Sequence, residues 1–221
     1  SLIKAHFPRT VSESFRAKER FIYEEFFFHQ LRLMLIKLKR KTSEKGYKFS
    51  QLGIYFDQFY SDFLPFSLTG AQKKVIKEIR KDLGSGAQMN RLLQGDVGSG
   101  KTVVALMAAM IAAGNGYQSC LMAPLEILAV QHYQSILKLT DKMDFKVGLL
   151  TGSTLKKERK KLFEELAAGE IHLLVGTHAV TEPAVEFKQL GLLIIDEQHR
   201  FGVEQRASLR YKSRPLPPHV L

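Results

Sequence analysis

Short apolar runs alternate with longer amphipathic segments over the last two thirds of the chain. Strands that are apolar throughout, and that are separated by helices, indicate a parallel sheet covered by helices on both faces. The sequence therefore predicts an α/β fold over residues 65–221. The apolar runs predict strands at 92–94, 118–123, 146–150, 171–175 and 190–195, and the intervening periodicity predicts helices at 71–83, 102–113, 127–139 and 155–168.

The first part of the chain has a different pattern, because its apolar residues recur at helical spacing. A long helix is predicted to begin near Thr10, where Thr10 and Glu13 have the spacing of a capping box, and to be broken at Gly46. A helix this apolar must pack against something. An aromatic-rich connector, residues 49–65, follows. We place the domain boundary near Leu64, so that residues 1–64 form a helical linker and residues 65–221 a second domain.

Composition narrows the class of protein. The 221 residues are 45% apolar and 25% charged, as in ordinary globular proteins, which excludes disordered, collagen-like and low-complexity chains. The net charge of +11 favours a polyanionic partner. Cys120 is the single cysteine, so we expect no intrachain disulfide and a reducing, cytoplasmic setting. No apolar stretch approaches the roughly 20 residues of a membrane span, and we expect no membrane association.

Two runs of basic residues are open to more than one interpretation. The first begins in the C-terminal part of the N-terminal helix and includes Lys37, Lys45 and Lys48; it is either a solvated helix end or a surface that contacts phosphates. The second, residues 156–161, is expected to be a solvated helix face with incidental attraction for DNA.

A glycine-rich loop follows the first predicted strand of the α/β part. Residues 95–102 match the phosphate-loop pattern G-x-x-x-x-G-K-[ST]. The glycines let several amides face one point, and the following helix N-terminus adds partial positive charge. Lys101 is expected to reach the β- and γ-phosphates, and Thr102 to offer its hydroxyl to Mg²⁺. The expected nucleotide-binding residues of this loop are Gly95, Gly98, Ser99, Gly100, Lys101 and Thr102.

A pair of acids ends the last predicted strand. Asp196 and Glu197 follow the apolar run 190–195, which places them at the carboxyl edge of the sheet, where the phosphate loop also lies. We expect Asp196 to hold Mg²⁺, directly or through water, and Glu197 to orient and deprotonate an attacking water. Alone, two acids after a strand are equally well explained as a solvated turn. Together with the phosphate loop they favour a nucleotide hydrolase over a kinase, which needs no water activator.

The residues after this pair carry a more specific resemblance. Asp196-Glu197-Gln198-His199 is a DEQH-type helicase box, and its continuation over residues 200–206 resembles the RecG family of branch-migration helicases in superfamily two. The resemblance extends over nearly the whole chain, including the segment around the phosphate loop. It implies a RecA-like motor domain, ATP and Mg²⁺ as ligands, and branched DNA, namely forks and Holliday junctions, as the partner.

The resemblance also implies residues that spacing alone does not reveal. Phe66 and Gln72 match the adenine-recognition segment, in which an aromatic ring packs on the base and an amide bonds its edge. Gln198 and His199 would couple the nucleotide to the DNA side. Leu125 and Val130 depart from the family pattern, which usually has Thr and an acid there. The residues that match DNA-contacting motifs are Pro124, Gly152, Ser153, Thr177 and His178. From sequence alone, ordinary turn chemistry is the better explanation of the last four.

The same resemblance sets an expectation about the extent of the chain. In the family, a wedge domain precedes this segment and a second motor domain, which supplies arginines to the γ-phosphate, follows it. Residues 219–221 resemble the start of the strand that leads to the second domain. We therefore expect a fragment that binds nucleotide weakly and hydrolyses it slowly or not at all. Loss of an arginine finger costs about 10³–10⁵ in rate in related sites.

The sequence thus favours an ATP-dependent DNA helicase that remodels forks and junctions in repair and recombination. One alternative is another superfamily-two translocase, of the transcription-repair coupling or replication-restart kind. A second is a nucleic-acid-binding module whose phosphate loop is inactive. A small-molecule kinase is disfavoured by Glu197 and by the basic surplus.

Overall fold

The chain divides into two compact units in a computed structural model that describes residues 2–43 and 45–221. The units are Ser1–Glu44 and Lys45–Leu221. The aromatic connector therefore packs with the second unit, ahead of the boundary that the sequence suggests near Leu64. That boundary stays a prediction about where the motor domain begins.

The first unit consists of helices α1 (Leu2–His6) and α2 (Val11–Ser43). The sequence did not predict α1, whose five residues are too few to show a helical period. The amide of Glu13 donates to the Thr10 hydroxyl at 3.2 Å, as the capping box predicts. The reciprocal bond differs, because the Glu13 carboxylate accepts from the amide of Arg9 at 3.2 Å. No helix among the described residues is both long and apolar enough to cross a membrane.

The apolar side chains of α2 are largely exposed within the described structure. Phe26 and Phe28, for example, are each 64% exposed. The expectation that this helix packs against something therefore stays a prediction. The other large apolar side chains of α2 with high exposure include Phe15, Ile22, Leu33, Leu35 and Ile36.

The second unit is an α/β layer structure that begins with the aromatic connector. Within the connector, helix α3 (Ile54–Gln58) runs into a π-helical turn, Phe59–Phe63, and buries Phe56 and Phe59. The remaining helices are α4 (Gly70–Leu83), α5 (Lys101–Gly114), α6 (Glu126–Thr140), α7 (Lys156–Ala168) and α8 (Val203–Tyr211). The strands are β1 (Gln118–Met122), β2 (Val147–Leu150), β3 (Leu173–Gly176), β4 (Leu190–Ile195) and β5 (His219–Val220).

The five strands form one sheet in the order β2-β3-β1-β4-β5, and every pair is parallel. Alternate residues of β1 face opposite sides: Leu121 joins a core built with α4, α5 and α6, whereas Cys120 and Met122 join a core built with α7 and α8. The predicted α/β fold with helices on both faces is confirmed. Burial raises the pKa of the Cys120 thiol to about 12, so the thiol is un-ionised inside this core.

The predicted strand at 92–94 is wrong. The segment that pairs with β5 lies just before it, where the amide of Arg91 donates to the Val220 carbonyl at 3.0 Å and Asn90 forms an isolated parallel bridge to Val220. The neighbouring strand ends at Val220, so residues 92–94 have no ladder partner among the described residues, and Leu92 is 69% exposed. The phosphate loop therefore starts from an extended segment at the edge of the sheet.

A buried histidine fixes this edge. The Nδ1 atom of His219 accepts a hydrogen bond from the amide of Met89 at 2.9 Å, and its Nε2 donates to the carbonyl of Tyr47 at 2.8 Å. One acceptor and one donor require the neutral imidazole. Burial lowers the pKa of His219 below its ordinary value of 6.5. The neutral ring thus joins β5, the segment before the phosphate loop and the chain at Tyr47.

We expect the protein to lose stability as the pH falls below about 6.5, because the unfolded chain then binds a proton at His219 that the folded chain does not. The contribution of His219 to the free energy of unfolding is complete above that pH. It is lost as the pH falls towards the lowered pKa of the folded state, and the free energy of unfolding then changes by at most about 1.4 kcal/mol per pH unit. Urea unfolding from pH 7.5 to 5 measures it. His219→Gln keeps an acceptor and a donor and should reduce the slope.

His172 is the necessary comparison, since burial also lowers its pKa. A His172→Gln variant should remove a separate part of the slope. A His219→Gln protein that retains the full wild-type slope would contradict the assignment to His219.

Candidate active site

The phosphate loop is shaped by two glycines with left-handed backbone conformation. Gly98 has φ of 80° and Gly100 has φ of 81°, a region that other residues adopt with difficulty. Gly100 is the N-cap of α5, so the loop leads directly into the helix N-terminus. A Cβ atom on Gly95 would lie 2.7 Å from the hydroxyl of Ser99, so the loop closes tightly there as well.

Lys101 and Thr102 occupy the first turn of α5. The Lys101 ammonium donates to the carbonyl oxygens of Gly95 at 2.6 Å and Asp96 at 2.8 Å, which places it over the loop. Both acceptors are neutral, and a phosphate oxygen would be a stronger partner for the ammonium. The loop therefore offers a cation, a hydroxyl and a helix N-terminus at one place.

Gln72 connects the loop to α4. Thr69 and Gln72 form a capping box, in which the Thr69 amide donates to Gln72 Oε1 at 2.9 Å and the Gln72 amide donates to the Thr69 hydroxyl at 3.2 Å. Gln72 Nε2 donates to the carbonyl of Ser99 at 2.9 Å. The side chain thus supports the loop in addition to any contact with a base, a role that the sequence did not predict. Phe66 is 46% exposed, so its ring is accessible.

Asp196 lies at the end of β4, and its amide donates to the Met122 carbonyl at 2.9 Å. Its Oδ2 atom accepts a hydrogen bond from His132 Nε2 at 2.9 Å. This bond is the main reason why the pKa of Asp196 is lowered, and the positive charge of Lys101 lowers it further. The carboxylate is therefore ionised at neutral pH, and it lies within the electrostatic reach of the phosphate-loop lysine.

Glu197 has an unusual backbone. Its φ of 49° and ψ of 51° are left-handed, and it alone among the described non-glycine residues has positive φ. The side chain is 52% exposed, and its carboxylate lies 3.4 Å from His199 Nε2. Gln198 and His199 form part of a short 3₁₀ turn, Gln198–Arg200, with exposed side chains. The box therefore presents its polar groups outward beside Asp196.

The donor set at this edge suits Mg²⁺. Thr102 supplies a hydroxyl and Asp196 an ionised carboxylate, and oxygen ligands of this kind are those that Mg²⁺ takes. Within residues 2–43 and 45–221, no group of three or more His, Cys, Asp or Glu side chains could hold a metal by itself. A metal here would complete its shell with phosphate oxygens and water, as Mg²⁺ does in nucleotide sites.

The residues that match DNA-contacting motifs follow three adjacent strands. Pro124 comes after β1, Gly152 and Ser153 after β2, and Thr177 and His178 after β3. Gly152, Ser153 and His178 are exposed and Pro124 is half-buried. Thr177 differs, because it is buried, its amide donates to the Leu150 carbonyl at 3.2 Å, and its hydroxyl has no partner among the described residues.

The three loops are cross-linked by Glu126 and Arg159, through contacts that the sequence did not predict. The Glu126 carboxylate accepts hydrogen bonds from the Thr151 hydroxyl, at 3.2 Å, and from the Ser153 hydroxyl. Arg159 donates to the Thr151 carbonyl at 3.1 Å and to both carboxylate oxygens of Glu182, at 3.0 and 3.2 Å. The expectation that residues 156–161 form a solvated face is therefore wrong for Arg159, which is a half-buried structural link.

His132 is the other residue that the sequence did not indicate. It lies in the middle of α6 and approaches Asp196 only through the fold. A lone histidine in a helical pattern carries no spacing that would point to a carboxylate 64 residues away. The signal exists only in three dimensions, because β1 and β4 are neighbours in the sheet.

Residues 69–220 match the family model of DEAD/DEAH box helicases. The match covers more than half of the chain and includes the phosphate loop and the acidic box. The chain belongs to the DEAD/DEAH box helicase family, and the RecA-like domain that the sequence predicts is confirmed.

Within this family the chain is similar to RecG. It is 45% identical over 221 residues to the ATP-dependent DNA helicase RecG of Synechocystis, and 49% identical over 216 residues to that of Bacillus subtilis. The two matches cover 100% and 98% of this chain but 26% and 31% of the relatives. The chain therefore spans about a quarter to a third of the length of these relatives.

Solved structures agree with this similarity. A RecG structure bound to a three-way DNA junction superposes with a TM-score of 0.81 at 41% identity, over 98% of this chain and 29% of that one. The DEAD-box helicase Mss116 superposes with a TM-score of 0.61 at 18% identity, over 76% of this chain and 37% of that one, which supports the fold alone. The resemblance to the RecG family is thereby confirmed.

We expect Gly100→Ala to destabilise the protein more than Gly98→Ala. Both substitutions place a side chain in the left-handed region, at a cost of about 1–2 kcal/mol. A Cβ atom on Gly100 would also press on Gln72 Nε2, whereas Gly98 faces open space. Urea unfolding of the two variants measures the difference. Gln72→Ala should remove the excess cost of Gly100→Ala, and equal costs for the two glycines would contradict a tight Gln72 contact.

Proposed function

We propose that the chain carries the ATP- and Mg²⁺-binding half-site of a DNA helicase that remodels forks and Holliday junctions by branch migration. The observation that carries the proposal is the position of Lys101, in the first turn of α5, and of Asp196, at the end of β4, at the same edge of one parallel sheet. Two segments nearly a hundred residues apart thereby present a phosphate-binding cation and a metal-binding carboxylate to the same region.

The roles of the site residues follow from their chemistry. The loop amides and Lys101 would bind the phosphates of ATP, and Thr102 and Asp196 would hold Mg²⁺, which would supply positive charge against the phosphate oxygens. Glu197 lies beside this group with an accessible carboxylate and takes the proton of the attacking water. Phe66 would pack on the adenine, and Gln72 would hydrogen-bond the edge of the base. Because Gln72 also donates to the Ser99 carbonyl, it would connect the base to the phosphate loop. His199, within 3.4 Å of Glu197, couples that carboxylate to the DNA side.

DNA is the proposed polyanionic partner. The loops after β1, β2 and β3 lie side by side, and a RecG that is similar over 98% of this chain has been solved on a three-way DNA junction. Small exposed residues such as Gly152 and Ser153 let backbone amides approach phosphates. The net charge of +11 adds a sequence-independent attraction. Branched substrates are proposed from the similarity to RecG and not from charge.

We expect Lys101→Ala and Glu197→Gln to separate binding from chemistry. Lys101→Ala removes the ammonium group that would bind the phosphates. The affinity for a fluorescent ATP analogue with Mg²⁺ should therefore fall at least tenfold. Glu197→Gln leaves the phosphate contacts in place, so the affinity should change little, while the slow single-turnover hydrolysis that we expect of this chain on branched DNA should fall below detection through loss of the base.

Lys157→Ala is the matched control, because it removes one exposed lysine from α7. It should bind the analogue as the wild-type chain does. Unchanged affinity in Lys101→Ala would show that the loop is not a phosphate site and would favour a nucleic-acid-binding module.

We expect Gly152→Asp to weaken binding of a three-way DNA junction, because the new carboxylate would repel phosphates at the DNA-facing edge. A Cβ atom on Gly152 would have only the Glu126 carboxylate nearby, at 4.0 Å, so the loop can accept a side chain. The loss should be large at 50 mM salt and smaller at 200 mM, since screening weakens the repulsion. Fluorescence anisotropy with a junction and a linear duplex measures both effects.

Ser135→Asp adds the same charge at an exposed position nine residues after Glu126 on α6, and it serves as the control. Equal losses in the two variants would show a general charge effect and not a contact at the loop after β2.

A further inference from the structure

One helix contacts both halves of the carboxyl edge. Helix α6 begins at Glu126, beside the loops that match DNA-contacting motifs, and carries His132, which contacts the acid proposed for the metal. Its position explains this double contact: α6 follows β1, and β1 lies between β3 and β4 in the sheet. The strands on one side lead to the DNA-facing loops, and those on the other lead to the nucleotide side.

The contact between His132 and Asp196 has the geometry of a support for a metal ligand. An ionised carboxylate can only accept, so the Nε2 atom of His132 carries the proton of the 2.9 Å bond. The bond takes one of the lone pairs of Oδ2, and a carboxylate has about four such sites, so a metal could still bind Asp196. The two side chains are 20% and 31% exposed, which limits competition by water for the bond.

Glu126, at the N-terminus of α6, fixes the loop after β2. Glu126 accepts from the hydroxyls of Thr151 and Ser153, and the Thr151 amide donates to the Thr154 hydroxyl at 2.9 Å. Glu126 lies in the first turn of α6, where the helix dipole favours a negative charge. The orientation of Ser153 and its neighbours therefore depends on the position of the helix N-terminus.

The segment between these two contacts is held firmly by the core. Ala129 lies between Glu126 and His132 and is fully buried, as is Ile136 one turn after His132. Six residues of α-helix span about 9 Å and turn through about 240°, which directs the two side chains to different neighbours. A displacement of either end therefore moves the other end with it.

We propose that His132 is a positioning residue that holds the Asp196 carboxylate for the nucleotide-bound metal, and that α6 links this carboxylate to the DNA-facing loop held by Glu126. The proposal rests on the proposed function, because it concerns the same nucleotide and DNA sites. Through this link, nucleotide and DNA must change each other's affinity by the same factor.

His132→Leu and His132→Gln form the first test. Leucine removes the donor, and the affinity for a fluorescent ATP analogue should fall about 10–100-fold when Mg²⁺ is present and stay unchanged in EDTA. Glutamine can still donate to Asp196 and should restore most of the Mg²⁺-dependent affinity. Gln134→Leu is the matched control, since it makes the same polar-to-leucine change at an exposed position of α6.

Asp196→Asn shows whether His132 acts through the carboxylate. If it does, His132→Leu has no further effect on Mg²⁺-dependent affinity in the Asp196→Asn background. Circular dichroism checks folding, and His132→Asn, whose shorter amide does not reach Asp196, replaces the leucine variant if that variant does not fold. If the variant without the donor binds the analogue with the Mg²⁺-dependent affinity of the wild type, His132 does not position Asp196.

The link through α6 is tested by the affinity for a three-way junction with and without saturating ATP analogue and Mg²⁺. A wild-type ratio of about 5 or more should fall towards 1 in His132→Leu and in Glu126→Ala, and Glu126→Gln, which keeps an acceptor, should retain it. An unchanged ratio in both of the first two variants would overturn the link.

Failure of this proposal and failure of the proposed function give different results. If wild type binds the analogue, Lys101→Ala does not, and His132→Leu behaves as wild type, only the role of His132 is wrong. If wild type and Lys101→Ala bind equally, or neither binds, the nucleotide site itself is wrong and the role of His132 falls with it.

Discussion

Parallel strands end at a common edge, and this constraint determines where every functional group of the chain can meet. The edge segment before the phosphate loop pairs with β5, β5 pairs with β4, and β4 carries Asp196 at its end. Lys101, in the first turn of α5, and Asp196, at the end of β4, are distant in sequence but lie at the same edge of one sheet. The site depends on this alignment of strand ends more than on any single contact.

The strand order divides the edge into two regions. β2, β3 and β1 lead to the loops that match DNA-contacting motifs, whereas β4, β5 and the segment before the phosphate loop lead to the nucleotide site. β1 lies at the border, because β3 and β4 are its two neighbours. The helix that follows β1 therefore has side-chain hydrogen bonds into both regions, through Glu126 and His132.

Sequence reasoning predicted the parts of this arrangement that depend on local pattern. The phosphate loop and the acidic box are each a continuous stretch of sequence, so each could be recognised from neighbouring residues. The strands 118–123 and 190–195 could be recognised in the same way, because their apolar residues show no helical spacing. The strand at 92–94 could not, because a ladder partner belongs to another part of the chain, and β5 offers pairing only as far as Val220.

The contacts that hold the site were harder to predict for the same physical reason. His132 and Arg159 lie in helices whose polar residues resemble solvated positions, and only the packing of α6 and α7 on opposite faces of the sheet brings them to Asp196 and Glu182. Gln72 was expected to recognise a base, and its bond to the Ser99 carbonyl appears only when α4 and the loop are placed together.

The left-handed backbone of Glu197 has a consequence for how this position can change over evolutionary time. A non-glycine residue held in that region costs about 1–3 kcal/mol, so glycine or asparagine there would give a more stable protein. Neither offers a carboxylate. A lineage selected only for thermal robustness would therefore drift away from glutamate, and its persistence would record selection for chemistry against a constant local penalty.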